Sequence, residues 1–197
     1  MEVFDAIKTR RSIRRYTADP VDDKKIEAIL EAGRWAPSWA NTQCWKFIVV
    51  RDAAIKAGLA GTLQKIKLPD KEVDNPAVKT FNTVPVIIVV CAATGKSGLK
   101  PGPGGGGGDF VTDKGDWFMF DAALAVENMI LAAHGMGLGT VIIGAFDAKQ
   151  AEKVLGVPKD YRVVTMFPVG IPNLEAPPKA PPRKEIAEIV LQDKWGK

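Results

Sequence analysis

The sequence predicts an α+β domain, and three observations carry that expectation. Helix-like and strand-like segments follow one another without strict alternation, which disfavours a doubly wound parallel sheet. Residues 84–91 (VPVIIVVC) are apolar at both parities, as in a central strand covered on both faces. Residues 116–134 (DWFMFDAALAVENMILAAH) are apolar around more than half of a helical circumference, as in a core helix.

Taken in order, Val3, Phe4 and Ile7 fall at helical spacing in a first helix reaching Thr9. Asp19-Pro20-Val21-Asp22 starts a second helix with Ile26, Ile29, Leu30 and Gly33 as its buried stripe, and Pro37 ends it after Ala36. Residues 46–51 (KFIVVR) read as a strand, residues 53–63 and 77–82 as helices. Residues 95–108 (GKSGLKPGPGGGGG) bury little apolar surface and lose much entropy on ordering, which predicts a mobile surface loop. Gly135 and Gly137 stop the core helix, and residues 138–143 form the next strand. Asp147 and Gln150 make a capping-box pattern for a helix through Leu155, ended by Gly156 and Pro158. Residues 161–170 form the last internal strand. Residues 171–197 carry Pro172, Pro177, Pro178, Pro181 and Pro182 and read as an extended arm, whose Ile186, Ile189, Val190 and Trp195 need burial. That burial comes either from folding back on the same domain or from crossing onto a partner subunit.

The 197 residues suit one domain, 1–197, without internal repeats. A hydrophobic content of 46% with 25% charged residues excludes disordered, collagenous and coiled-coil classes. The longest apolar run, residues 84–93, is too short for a bilayer span. The N-terminus lacks a secretory pattern, and Cys44 and Cys91 read as free thiols of a reducing compartment, so a cytoplasmic location is expected. The net charge of +4 fits nucleic acid, an acidic membrane surface or one anionic small ligand, and its distribution decides among them.

Several familiar signatures fail. Gly95-Lys96-Ser97 follows a strand as a phosphate loop would, but Val90 stands where the first glycine belongs. Gly135-Met136-Gly137-Leu138-Gly139 lies at a helix end leading into a strand, the reverse of a dinucleotide fingerprint. A single histidine, His134, and two unclustered cysteines make no metal site, and the histidine reads as structural. The thiols read as buried packing residues.

Two constellations remain. Arg10, Arg11, Arg14 and Arg15 put four guanidinium groups into six residues, which repel unless an anion or several carboxylates lie among them. Pairing with Asp5, Asp19 and Asp22 is the structural alternative to a phosphate site. Residues 36–45 (APSWANTQCW) form a polar loop with two tryptophans, able to offer apolar faces and amides to a flat aromatic cofactor.

RRSIRRY and APSWANTQCW resemble the start of the FMN-dependent nitroreductase family. The resemblance continues through GLGTVIIGAFD (137–147), LGVP (155–158), FPVG (167–170), Arg183-Lys184 and the EIV and KWG near the C-terminus, and so covers nearly the whole chain. It implies a mixed β-sheet flanked by helices in an intertwined homodimer with an exchanged C-terminal arm and two FMN sites at the interface. Arg10, Arg11, Ser12 and Arg14 would hold the ribityl phosphate and pyrimidine edge, and Arg183 would close on the phosphate. Pro37, Ser38, Trp39 and Asn41 would come from the other subunit to cover the flavin. Ile143, Gly144 and Ala145 would face the ring, with a backbone N–H near Gly144 directed at N5. Lys79 lies in a segment that aligns loosely with a family flavin contact. Cys44 replaces a common proline, Gly144 stands where some members carry Glu, and residues 95–108 replace a region that often shapes the substrate pocket.

The chemistry so implied is ping-pong hydride transfer from NADH or NADPH through the flavin N5 to a nitroaromatic, quinone or other small flat aromatic acceptor, with no essential catalytic side chain. Reductive dehalogenation or flavin fragmentation on the same fold is the alternative chemistry. A binding module for nucleic acid or an acidic lipid surface is the alternative class, disfavoured because one basic cluster lacks the density and motifs such partners require. Neither nucleic acid nor membrane is therefore expected as a partner.

Overall fold

Strand β4 (Val86–Ala93) is buried at every residue and organises the molecule. It pairs antiparallel with β1 (Trp45–Val50) on one side and β8 (Tyr161–Gly170) on the other, and β7 (Gly139–Thr140) pairs with β8 to complete the order β1-β4-β8-β7. The computed structural model describes residues 1–101, 107–173, 175, 178 and 180–195.

Side chains alternate across a strand, so β4 supplies two cores. Val86, Ile88 and Val90 pack with Ile26 and Ile29 of α2 (Asp23–Arg34) and Ala122, Val126 and Met129 of α5 (Phe118–Gly135). Ile87, Val89 and Cys91 pack with Leu59 of α3 (Ala53–Ala60), Phe81 of α4 (Ala77–Thr83) and Ala151 of α6 (Ala148–Leu155). This is the strand covered on both faces that the apolar run predicts. The helix ends obey local chemistry as well. Asp22, Asp52 and Asp147 accept backbone N–H groups at the starts of α2, α3 and α6, and Gly156, at φ +65°, ends α6 in the left-handed conformation.

The expected strand over residues 138–143 contracts to β7. Its register resumes at Ile143, which exchanges backbone bonds with Met166 at 2.8 and 3.3 Å. On the open side of β7, Ser12 bridges Thr140 in parallel, the one parallel contact on this sheet among the described residues. A short hairpin, β2 (Ile66–Leu68) with β3 (Lys71–Val73), turns at Pro69-Asp70.

Part of the expected mobile loop is ordered. Within and just beyond residues 95–108, β5 (Leu99–Pro101) pairs with β6 (Gly107–Phe110), Val111 donates to the Gly98 carbonyl at 2.8 Å, and Ser97 is fully buried. Ladder bonds and the Ser97 anchor offset the entropy that the composition alone would leave unmet. The rest of that expectation, residues 102–106, lies outside the described residues, as do Pro177 and Gly196.

Both chain ends leave apolar surface uncovered. Val3, Phe4 and Ile7 of α1 (Val3–Thr9) are exposed, as are Ile186 and Ile189 of α7 (Ile186–Ile189) and, at 92%, Trp195. The arm begins along its own chain, with Thr17 donating to the Ile171 carbonyl and Asn173 to that of Arg15, but its apolar side chains do not fold back onto the core. No helix among the described residues is long and apolar enough to cross a membrane.

Candidate functional site

The arginine segment is fixed to the sheet through its backbone. Ile13 donates to the Thr140 carbonyl at 2.9 Å, and the Thr80 hydroxyl of α4 donates to the Arg14 carbonyl at 3.0 Å. The Tyr16 hydroxyl donates to the Ile13 carbonyl, and burial raises the phenol's pKa far above its ordinary value against the opposing pull of Arg14, so it stays neutral. These anchors hold the backbone and leave Arg14 and Arg15 exposed.

Carboxylates do not neutralise them. Among the described residues the ion pairs are Glu31–Arg34, Asp23–Arg51, Glu72–Lys67 and Glu152–Arg162, and none involves Arg10, Arg11, Arg14 or Arg15. Asp22, one of the alternative partners, caps α2 instead. Arg11 turns back to the Lys8 and Arg10 carbonyls at 2.7 and 2.8 Å and thereby caps α1, while Arg14 reaches only the Ser12 carbonyl at 3.4 Å. Clustered positive charge without a carboxylate partner can hold an anion.

Arg14 and Arg15 of the cluster also line a cavity of about 440 Å³, together with Tyr16, Lys79 and Thr80 of α4 and Asn173 at the root of the arm. Lys79, which the sequence aligns only loosely, is thereby brought to the arginines, and Asn173 joins it without any signal in the sequence.

Ile143, Gly144 and Ala145 lie on the same side of the sheet as this segment, a few residues beyond the Thr140 that Ile13 grips. Ile143 is held by Met166. Gly144 is exposed, and a Cβ built on it would meet nothing within 4 Å. Among the described residues no acceptor takes the Gly144 N–H. The three residues thus offer an open ledge with a free donor, three to five residues beyond the Thr140 that pairs with Ser12 and Ile13.

Pro37, Ser38, Trp39 and Asn41 are elsewhere. Their loop, with the 3₁₀ turn Trp39–Asn41, is tied to the start of α5, where the Asp121 carboxylate accepts the Trp39 N–H at 3.1 Å. The arginine segment is tied to the end of α5, where the Thr9 hydroxyl meets His134 at 2.8 Å. At about 1.5 Å per residue, Asp121 and His134 are about 20 Å apart along the helix. One chain therefore brings Lys79 to Arg14 and Arg15 and pairs the arginine segment with Thr140, just before residues 143–145, while the tryptophan loop is tied to the other end of α5. Arg183 is exposed on the arm, and no bond joins it to the arginine segment among the described residues.

The tryptophan loop is unusual in its own right. Ala40, Asn41 and Gln43 adopt φ of 45°, 56° and 45°, a left-handed region that costs non-glycine residues energy. The Ser38 hydroxyl oxygen accepts the Gln43 N–H at 2.9 Å and Asn41 accepts from the Gln43 amide at 3.2 Å. Trp39 packs against Trp117 with ring centroids 5.3 Å apart, and Trp117 meets Phe120 edge-on at 5.0 Å. Asp121, buried beneath this cluster, is a polar anchor of the loop that the sequence reading passes over. Its one signal is a lone acid on the buried stripe of the core helix.

His134 and the thiols take structural roles. The Thr9 hydroxyl donates to the Asp5 carbonyl at 2.6 Å, so its oxygen accepts from His134 and the ring proton sits on Nε2. Desolvation first, and then Arg10 and Arg11, lower the pKa of this histidine. Burial, chiefly, pushes Cys44 up to about 12 and Cys91 up to about 11, and no metal-binding cluster occurs among the described residues.

Known proteins share this fold. A model of the nitroreductase family matches residues 7–171. A protein of Methanothermobacter thermautotrophicus, provisionally named NADH dehydrogenase/NAD(P)H nitroreductase, is 32% identical over 176 residues, covering 87% of this chain and 78% of that protein. The crystal structure of a nitroreductase family protein from Clostridium novyi NT superposes with a TM-score of 0.73 at 29% identity, over 91% of this chain and 89% of that one. Oxidised iodotyrosine deiodinase bound to FMN and 3-iodo-L-tyrosine, 21% identical, shares the fold with a TM-score of 0.73 over 98% and 100% of the two chains.

Proposed function

The chain belongs to the nitroreductase family, and from that premise we propose that it is an FMN-dependent NAD(P)H oxidoreductase acting on nitroaromatics, quinones or similar flat acceptors. The observation that carries the proposal is an unneutralised arginine segment that pairs with Thr140, four residues before an open backbone ledge at Gly144.

These residues fit FMN. Arg10, Arg11, Arg14 and Ser12 would hold the phosphate and pyrimidine edge, with Lys79 in the lining of the cavity that Arg14 shares. Ile143, Gly144 and Ala145 would lie under the ring, the free Gly144 N–H directed at its edge and the absent Cβ leaving room for close approach. When bound, FMN supplies reversible two-electron chemistry, and the protein's part is position and electrostatics. Clustered positive charge favours an anionic reduced cofactor, and the ledge needs no dedicated acid or base.

The site is built across a homodimer. The tryptophan loop is anchored at Asp121 and the arginine segment at His134, about 20 Å apart along α5, and the loop would serve the partner's site with Pro37, Ser38, Trp39 and Asn41. Exposed Val3, Phe4 and Ile7, together with the uncovered arm, supply the apolar surface such a dimer buries, and the arm would bring Arg183 to the phosphate.

Purified protein titrated with FMN, then with NADH and with NADPH under nitrogen, tests the reading. Uptake of FMN and bleaching of its visible band on donor addition are expected, and a protein that stays colourless in excess FMN sinks the proposal. An acceptor panel of nitroaromatics, quinones and halogenated phenols, run with and without oxygen, identifies the substrate class.

A further inference from the structure

We propose that Asp121 is a positioning residue that holds the flavin-covering loop in its active shape; the inference rests on the FMN reading above. Asp121 is 1% exposed in a helix whose other buried residues are apolar. Its carboxylate is the meeting point of two separate chain segments. Oδ1 accepts the Trp39 N–H at 3.1 Å; Oδ2 accepts the Ser97 hydroxyl at 2.6 Å and the Thr42 hydroxyl at 3.4 Å, with the Cys44 thiol at 3.7 Å.

The physical reason for a buried acid here is the loop it holds. Three left-handed non-glycine residues within Ala40–Gln43 persist only where surrounding contacts over-determine them. Trp39 and Thr42, the residues Asp121 grips, bracket Ala40 and Asn41. A carboxylate satisfies several donors converging from one side, which a carboxamide of the same shape cannot do without turning an NH₂ group toward one of them. Ser97 adds a second consequence. It stands just before the β5–β6 hairpin, and Trp117 donates to its carbonyl at 3.1 Å, so the same carboxylate registers the hairpin and the Trp39–Trp117 pair against the loop. Asp121 touches no reacting atom; it acts through the placement of Trp39 and Asn41.

The test compares full-length wild type with Asp121→Asn. Two quantities are read: FMN affinity by quenching of flavin fluorescence, and the Trp39–Trp117 exciton band in the far-ultraviolet circular dichroism of the apoprotein. Loss of one or two charge-assisted bonds is expected to weaken FMN about tenfold or more and to diminish the exciton band, with the helical signal retained. Should Asp121→Asn fail to fold, Thr42→Val and Ser97→Ala each remove one donor and keep the charge, with several-fold losses expected from each. Undiminished FMN affinity in folded variants overturns the proposal, and so does FMN loss with an unchanged exciton band. A wild type that takes up no FMN defeats the cofactor reading instead, while the exciton band still reports whether Asp121 holds the loop.

Discussion

Gly139 is glycine because Ile13 lies against it: a Cβ at Gly139 would come within 2.8 Å of the Ile13 Cβ and Cγ2. That close approach lets Ile13 reach the Thr140 carbonyl and seats the arginine segment on the edge of the sheet. Gly139→Ala must displace a β-branched side chain at its root, not at a flexible end. A loss of about 1–3 kcal/mol is expected, measured by chemical denaturation, together with weaker FMN binding as the arginines shift.

Arg14→Ala and Lys79→Ala each remove a charge from the lining of one cavity. Each is expected to raise the FMN dissociation constant about ten- to hundredfold, as hydrogen bonds to charged groups contribute about 1.5–3 kcal/mol. Apoprotein stability should hold or rise, because the cluster repels itself when no anion is present. Unchanged affinity in both variants would place the phosphate and pyrimidine elsewhere.

His134 provides a single-residue reporter. Burial and the two neighbouring arginines lower its pKa, so the folded state takes up its proton at lower pH than the unfolded chain does. Its contribution to stability is present above the ordinary value of 6.5 and is lost as the pH falls below it. Proton NMR of the only imidazole should show titration below 6.5 in the apoprotein and an upward move on FMN addition, as phosphate offsets Arg10 and Arg11. A resonance indifferent to FMN would separate His134 from the anion site.

The thiols should be inert while the fold is intact. With Cys44 near 12 and Cys91 near 11, almost no thiolate exists at pH 8. A thiol-reactive disulfide reagent is expected to modify neither residue in the native protein at that pH and both after unfolding.

Truncation after Pro172 removes the exposed apolar arm and Arg183. Sedimentation velocity is expected to show loss of the dimer, and flavin titration a parallel loss of affinity. A truncated chain that remains a loaded dimer would disprove arm exchange.

Much of the architecture is written in local chemistry. The unbroken apolar character of residues 84–91 and the broad apolar face of residues 116–134 suffice for a doubly covered strand and a core helix, because side-chain periodicity follows directly from backbone geometry. The aspartates at positions 22 and 147, with Gly156, set helix ends for the same reason. The arginine cluster is equally legible, since four like charges in six residues demand a counterion wherever they fold.

Other features depend on contacts between residues distant in sequence. No local signal tells that Lys79 and Asn173 face Arg14, that Ser97 is buried within a glycine-rich stretch, or that Asp121 ties residue 39 to residue 97. Each is a balance of desolvation and hydrogen bonding settled only when the segments meet. The separation of the tryptophan loop from the arginines belongs to the same class. Composition and motifs bring the two halves of a flavin site into one chain, while the length and placement of α5 keep them apart and leave a second copy to complete the site we propose.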